Sequence, residues 1–509
     1  MSALAFVLTA KAQNVGIGTT TPLAKFSVGP ASQFQVDSNG NITRINNVTY
    51  SFPATQAASG QVLSNNGSGQ LSWVNQLGGW SLSGNAGNST SFFIGTTDTV
   101  PLRFRVNNVR SGQINQVLAN TFLGTNSGGA NTTGDGNVAI GFNSLSELTS
   151  GTSNSAIGIN SLRNNTTGSS NIAIGANALF TNTSGSSGTA LGNSALYSNT
   201  TGSSNTAVGS GALFANTAGS SNTALGNNAL YNNTLGGSNT ALGNASMFSM
   251  QNGALNTAIG SGALYSNLSG STNTAIGNNT LYNSTSNANT AVGHNVLNNN
   301  TTGANNTAVG LGALAGVTSA SNNTAIGYTA NVSDTLITNS TSVGAGAMSN
   351  GSNQVTLGNV NITNVRSAGT YGTLSDGRFK ENITENVSGL NFILALRPVT
   401  YTLNTEKLYT HITAQNGDKN INKADFKAPS TIIRTGFIAQ EVEAAAVKAN
   451  FNFDGVYKPT STTDNYSLSY AQFVVPLVKS VQELNQIIAN QADVIKALTK
   501  RIEALEAGK

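Results

Sequence analysis

The chain has 509 residues and a formal charge of +4; 38% of its residues are hydrophobic and only 8% charged, with 57 glycines, two histidines and no cysteine. These numbers exclude a cysteine nucleophile and leave no route to a structural Cys/His zinc site. With no basic stripe interleaved with aromatics, they also speak against nucleic-acid binding. Abundant Asn, Ser, Thr and Gly would predict disorder if apolar residues were scarce, but they are plentiful enough to build a core at regular spacing.

The chain opens with an apolar run from Ala3 to Leu8, followed by the small-x-small triplet Ala10-Lys11-Ala12. That pattern predicts an export signal over residues 1–12 and hence a secreted or cell-surface protein, with a phage virion as the alternative location. No apolar run elsewhere approaches the ~18 residues of a membrane span, so no transmembrane segment is expected. Residues 13–119 are read as an attachment or capping region, in which Trp73, Trp80, Phe92 and Phe93 pack a small domain over the end of the rod or, as the alternative, form a binding face. Its stretches "VGIGTTTPLAKFSV" and "GQVLSNNGSGQLSWVNQ" resemble the opening segments of secreted fibre proteins.

Residues 120–358 are a repeat. A glycine recurs at 124, 141, 158, 175, 192, 209, 226, 243, 260 and 277 in steps of 17; a step of 16 leads to Gly293, steps of 17 to Gly310, Gly327 and Gly344, and a step of 14 to Gly358. Units this short cannot bury a face alone, so they must stack as a solenoid. Within "NTALGNNALYNNTLGGSNTALG" (222–243), Ala224-Leu225 and Ala229-Leu230 are read as core pairs, each glycine as a corner of positive φ, and "NNTLGGSN" as the outer turn. At about 4.8 Å per strand layer the array spans roughly 70 Å. Gly209-Ser-Gly211 and Gly310-Leu-Gly312 are repeat corners rather than phosphate loops, since no Lys-Ser/Thr and no amphipathic helix follows. The repeats resemble the heads of trimeric autotransporter adhesins, whose three chains share a β-roll, although 17 residues is longer than the spacing typical of those heads. A cell-surface or glycan ligand of the rod follows from that resemblance. Carbohydrate cleavage finds little support, because Asp135, Glu147 and Asp334 lie far apart in sequence and only pairing between chains would bring such acids together.

The charge distribution then changes. Residues 112–365 carry only Asp135, Glu147, Arg163 and Asp334, whereas residues 375–509 hold 15 of the 23 Lys and Arg and 14 of the 19 Asp and Glu, which puts a boundary at Ser375 and makes 359–374 a linker. The tail contains, in order, "SDGRFKENI" (375–383), "LALRPVTY" (394–401), "GFIAQEVE" (436–443) and "YSLSYAQFVVPLVKSVQEL" (466–484). It resembles the intramolecular chaperone and self-cleaving domain that ends endosialidase tailspikes and other phage tail fibres. The resemblance implies an α+β domain over 375–476 that aligns three chains and is then cut off between Leu374 and Ser375 by a Ser-Lys dyad, Ser375 and Lys380.

The residue chemistry agrees with that implication. A serine hydroxyl needs a base, and with no usable histidine nearby a neutral lysine is the local candidate. Lys380 must be partly desolvated to serve, and Arg378 assists by disfavouring a second positive charge. Residues five apart lie about 140° apart on a helix, so Ser375 must precede the helix on a strand or turn, or Lys380 must come from another chain. Gln440 and Glu441 are read as packing residues, with Val442 and Ala446 on the buried side of their helix.

Over 477–509, apolar residues at 477, 481, 484, 488, 495, 498, 502 and 505, with Gln491 in the same series, give a heptad seam and predict a coiled coil. The fold expected is therefore mainly β: a trimeric β-roll or β-solenoid fibre of 17-residue repeats, then an α+β chaperone domain and a coiled-coil helix. The function expected is a homotrimeric tail-fibre or adhesin-like protein that performs one self-cleavage, acts on no other substrate and uses no cofactor or metal. The alternative is a permanent surface adhesin with an uncleaved trimerisation tail.

Overall fold

The computed structural model describes residues 15–17, 25–28, 32–46, 48–59, 61–75, 93–369, 372–413, 429–462 and 464–508. The predicted export segment 1–12, Trp80 and Phe92 lie outside them. No helix among the described residues is long and apolar enough to cross a membrane. The chain divides into two compact units, Met1–Thr97 and Asp98–Lys509.

In the first unit, five short strands between Val15 and Thr49 form one sheet, and Gln61–Asn65 pairs antiparallel with Leu71–Asn75. Trp73 sits in that hairpin and donates its indole N–H to the Thr55 carbonyl at 2.7 Å. Phe93 is 62% exposed.

The second unit begins with a hairpin, Leu102–Val106 against Val109–Asn115, which pairs antiparallel with the first rod strand, Asn120–Leu123. This hairpin, placed by sequence in the N-terminal region, thus belongs to the rod and covers the edge of its first coil. From there a mainly β solenoid of about fourteen turns runs to the strand Val355–Leu357. Each coil contributes one three-residue strand to an in-register parallel ladder, so that Ala207, Ala224 and Ala241 stand directly above one another.

Strand geometry sorts the side chains. Successive residues point to opposite faces, so the central Ala (139, 156, 173, 190, 207 and onward) is wholly buried. Its neighbours Thr and Ile, Leu or Val point outward, and Leu225 is 44% exposed. The large residue of the first apolar pair is therefore not core, contrary to the sequence reading. The second pair is core, for Ala229 and Leu230 are both fully buried. The corner glycines have φ near +130°, and a Cβ at Gly226 would lie 2.4 Å from the carbonyl oxygen of Gly243. Close stacking of backbone on backbone therefore requires glycine at that corner.

Two columns of buried asparagine tie the coils together. Asn222 takes the N–H of Asn239 on its Oδ1 at 3.0 Å and donates Nδ2 to the Gly236 carbonyl at 2.8 Å. In the second column Asn182, Asn199, Asn216 and Asn233 each donate to the amide oxygen one coil below at 2.7 Å. Beside it, rings at 180, 197, 214, 231, 248, 265 and 282 stack with centroids 4.8–5.2 Å apart. That spacing matches one strand layer per coil.

Past the rod lies a small α+β region. Helices α1 (Leu390–Ala395), α2 (Thr405–Ile412) and α3 (Ala439–Lys448) accompany two strand pairs, Val399–Thr402 with Ile433–Gly436 and Val456–Tyr457 with Ser467–Leu468. Its core is aromatic: Phe392, Phe453 and Phe473 are buried with Val442, Ala445 and Ala446. Helix α4 (Val474–Ala507) ends the chain. Its Glu483 carboxylate accepts the N–H of Leu390 at 2.7 Å, fixing the start of α1.

Candidate active site

The linker delivers the chain to Leu374, whose side chain is 99% exposed. Asp376 is extended and caps a single 3-10 turn, Gly377–Phe379, by accepting the Arg378 N–H at 2.9 Å. Lys380 leaves that turn extended. A single tight turn between two extended residues folds the side chain of residue 380 back over residue 375, and Lys380 Nζ donates to Ser375 Oγ at 2.8 Å. The two residues meet within one chain because no regular helix separates them.

The surrounding charges are arranged otherwise than the sequence reading held. Arg378 grips Asp376 through Nε and a terminal nitrogen, the latter at 2.6 Å. The ion pair with Arg378 holds the Asp376 carboxyl below its ordinary range and pushes the guanidinium up. A cation already neutralised by its own carboxylate does little to discourage a second charge on Lys380, so Arg378 orders the turn instead. Leu374, Ser375 and Lys380 are all exposed in the single chain. Glu441 is not buried packing either; it forms an ion pair with Arg397 on an open surface, while Gln440 is exposed and Val442 and Ala446 point into the core.

A second polar cluster joins the C-terminal α+β region to the rod, and no sequence signal singled it out. Asp464 is 3% exposed and accepts from the Tyr457 hydroxyl at 2.7 Å, the Thr460 N–H at 2.8 Å and the Asn465 N–H at 2.8 Å. Burial pushes its carboxyl up, but these donors more than offset that and hold it below the usual range. Asn465 in turn accepts from the Asn350 side chain in the last coil, and the Tyr457 hydroxyl lies against Gly351. Nearby, Glu443 is held low by Lys458 at 2.6 Å and by the Tyr466 hydroxyl. Among the described residues no group of three or more His, Asp or Glu is placed to hold a metal.

The region that starts at this turn is similar to a known family of domains. Residues 375–450 match the family model Peptidase_S74, described as chaperone of endosialidase, and the match opens on Ser375 itself. No curated protein matches the chain.

Proposed function

We infer that the protein is a homotrimeric fibre, of tail-fibre or adhesin type, whose C-terminal region folds the trimer and then releases itself by one cut between Leu374 and Ser375. The observation that carries this is the 2.8 Å contact from Lys380 Nζ to Ser375 Oγ beside the exposed Leu374. With Lys380 neutral, Ser375 Oγ loses its proton to Nζ and attacks the Leu374 carbonyl carbon. The C–N bond breaks, the Ser375 amine takes up a proton, and water hydrolyses the resulting ester to leave a carboxylate at Leu374 and a free hydroxyl at Ser375. Water favours the ammonium form of an open lysine, so the reaction calls for a cover over the turn, and a neighbouring chain supplies one.

Two surfaces support association. The outward column of the rod, with Leu225, Leu242, Ile276 and Ile326 each 37–44% exposed, runs along one face. On α4 the whole heptad seam stands open, from Leu477 at 47% to Leu505 at 67%. A lone amphipathic helix of this kind gains its stability from a partner face.

The test is the denatured mass of the expressed chain beside Ser375→Ala and Lys380→Ala. The wild type is expected to give two pieces divided between Leu374 and Ser375, and both variants to remain whole. A wild type that trimerises without cutting would instead support the permanent adhesin, a reading favoured by the openness of the turn to water.

A further inference from the structure

The rod ends on an open edge. Each strand gives the N–H of its first residue to the residue before the next strand, as Thr324 does to Ser340 and Thr341 to Gln354, both at 2.8 Å. Each corner glycine gives its N–H back, as Gly344 does to Ile326 at 2.8 Å and Gly358 to Val343 at 2.7 Å. After Val355–Leu357 the series stops. Among the described residues nothing accepts the Val355 N–H or donates to the Leu357 carbonyl, and their side chains are 70% and 50% exposed. An apolar strand with an unpaired edge is a template for another strand.

The segment that follows has the sequence of a coil. Gly372 lies 14 residues past Gly358, the same step that separates Gly358 from Gly344. At that offset Ile362 falls on Met348, Thr363 on Ser349, Asn364 on Asn350 and Thr370 on Thr356. Yet no strand forms over 359–369, and residues 362–369 are all exposed. Coil-type bonding stops at Gly358. In the coils, the carbonyl after a corner glycine accepts a backbone N–H from two residues past the next corner, as Tyr328 does from Gly346 at 2.8 Å. The equivalent Ala345 carbonyl is taken by the Asn359 side chain at 2.9 Å.

What occupies the space is the chaperone region. Asn465 bonds to Asn350, Tyr457 lies against Gly351, and Leu408, Tyr409 and Ile412 of α2 face Met348 and Leu357 across a cavity of about 260 Å³. Those are the positions over which residues 362–365 would stack.

We propose that residues 359–372 are a latent last coil, held off the rod by the chaperone region and added to it once the chain is cut. This rests on the reading that cutting occurs at Leu374, which lies two residues beyond the closing glycine. On release, Val355 donates to the Ala368 carbonyl, Gly372 donates to the Leu357 carbonyl, and the side chain of Asn359 yields Ala345 to the Val360 N–H. Cutting then finishes the fibre end as well as freeing the chaperone.

Hydrogen exchange read by mass spectrometry over 355–372 tests this on the full chain. In cut, separated fibre these amides should exchange more slowly, by about two orders of magnitude, than in uncut Ser375→Ala. Gly372→Pro should still cut but lose the protection at Val355 and Leu357, because it removes the N–H that closes the new coil onto the Leu357 carbonyl and forbids the positive φ of the corner. A further variant of Ser375→Ala carries the recognition sequence of an added protease between Leu374 and Ser375, and cutting it should confer the same protection. A chain that fails to cut itself but gains protection on cutting by the added protease overturns only the dyad. Cut fibre whose linker exchanges as fast as in uncut Ser375→Ala overturns the latent coil.

Discussion

Met250 stands where most coils place an asparagine of the second column, and its effect is visible one coil to either side. The Oδ1 of Asn233 and the Nδ2 of Asn267 are buried without a partner among the described residues. Leu148 and Val317 interrupt the same column, and Asn131 Oδ1 and Asn300 Oδ1 are orphaned beside them. A buried amide atom left unbonded costs about 1–3 kcal/mol, whereas the apolar burial lost with the thioether is about 2 kcal/mol. Met250→Asn is therefore expected to stabilise the rod by about 1 kcal/mol net, seen as a raised thermal midpoint; a lowered one would show that the orphans are not costly. The contact between Ser375 and Lys380, the proposed dyad, was legible at this scale because both sit in a recognisable motif. Asp464 was not, since a carboxylate held by the backbone of its own loop has no spacing signature.

In the coil as an element, the 17-residue glycine step fixed the rung and its corners, but two facts escaped it. The first is which apolar residue faces inward, which depends on the phase of a three-residue strand and not on hydrophobicity. The second is that the buried leucines at 145, 162, 179, 196, 213 and 230 have φ of 48–53°, a left-handed conformation. That geometry costs a non-glycine residue about 1–2 kcal/mol, while burying leucine returns about 1.5–3 kcal/mol, so the core decides the backbone. Ring stacking allows a quantitative comparison within the element. Tyr231 has a stacked neighbour on each side, at 4.9 and 5.2 Å, whereas Tyr282 has one, at 4.8 Å. At about 0.5–1.5 kcal/mol per stacked pair, Tyr231→Ala should lose about twice the stacking energy of Tyr282→Ala. Denaturation monitored by circular dichroism checks the ratio, and equal losses would argue that the column is incidental to stability.

At the scale of the whole molecule, order along the chain was readable from composition alone: a rod nearly free of charge, then a charged tail. The docking of that tail on the last coil was not, because it runs through Asn350, Gly351, Tyr457 and Asn465, residues of types found throughout the rod and its turns. Association belongs to this scale as well. Leu484→Asp with Ile488→Asp places charges on the α4 seam at residues 43% and 61% exposed in the single chain. Made in Ser375→Ala, which stays whole, this variant is expected to give by light scattering the mass of one chain where Ser375→Ala alone gives three. A parent that scatters as a single chain would remove the trimer, and an unchanged mass in the variant would move the contact to the rod.

The likeness of the coils has a less obvious result. Because Thr-Ala-Ile is followed by nearly the same triplet one coil on, a strand that pairs one coil out of step meets almost the same neighbours, and the energy gap against misalignment is small. Uniformity gives the ladder strength but erases its address. What restores an address is the set of blemishes: Arg163 over the Phe180 ring at 5.6 Å, Met250, and the sixteen-residue coil that ends at Gly293. In the proposed trimer these odd coils would find their counterparts at one offset only, and the rod's imperfections would then serve as the graduations by which its copies are brought level.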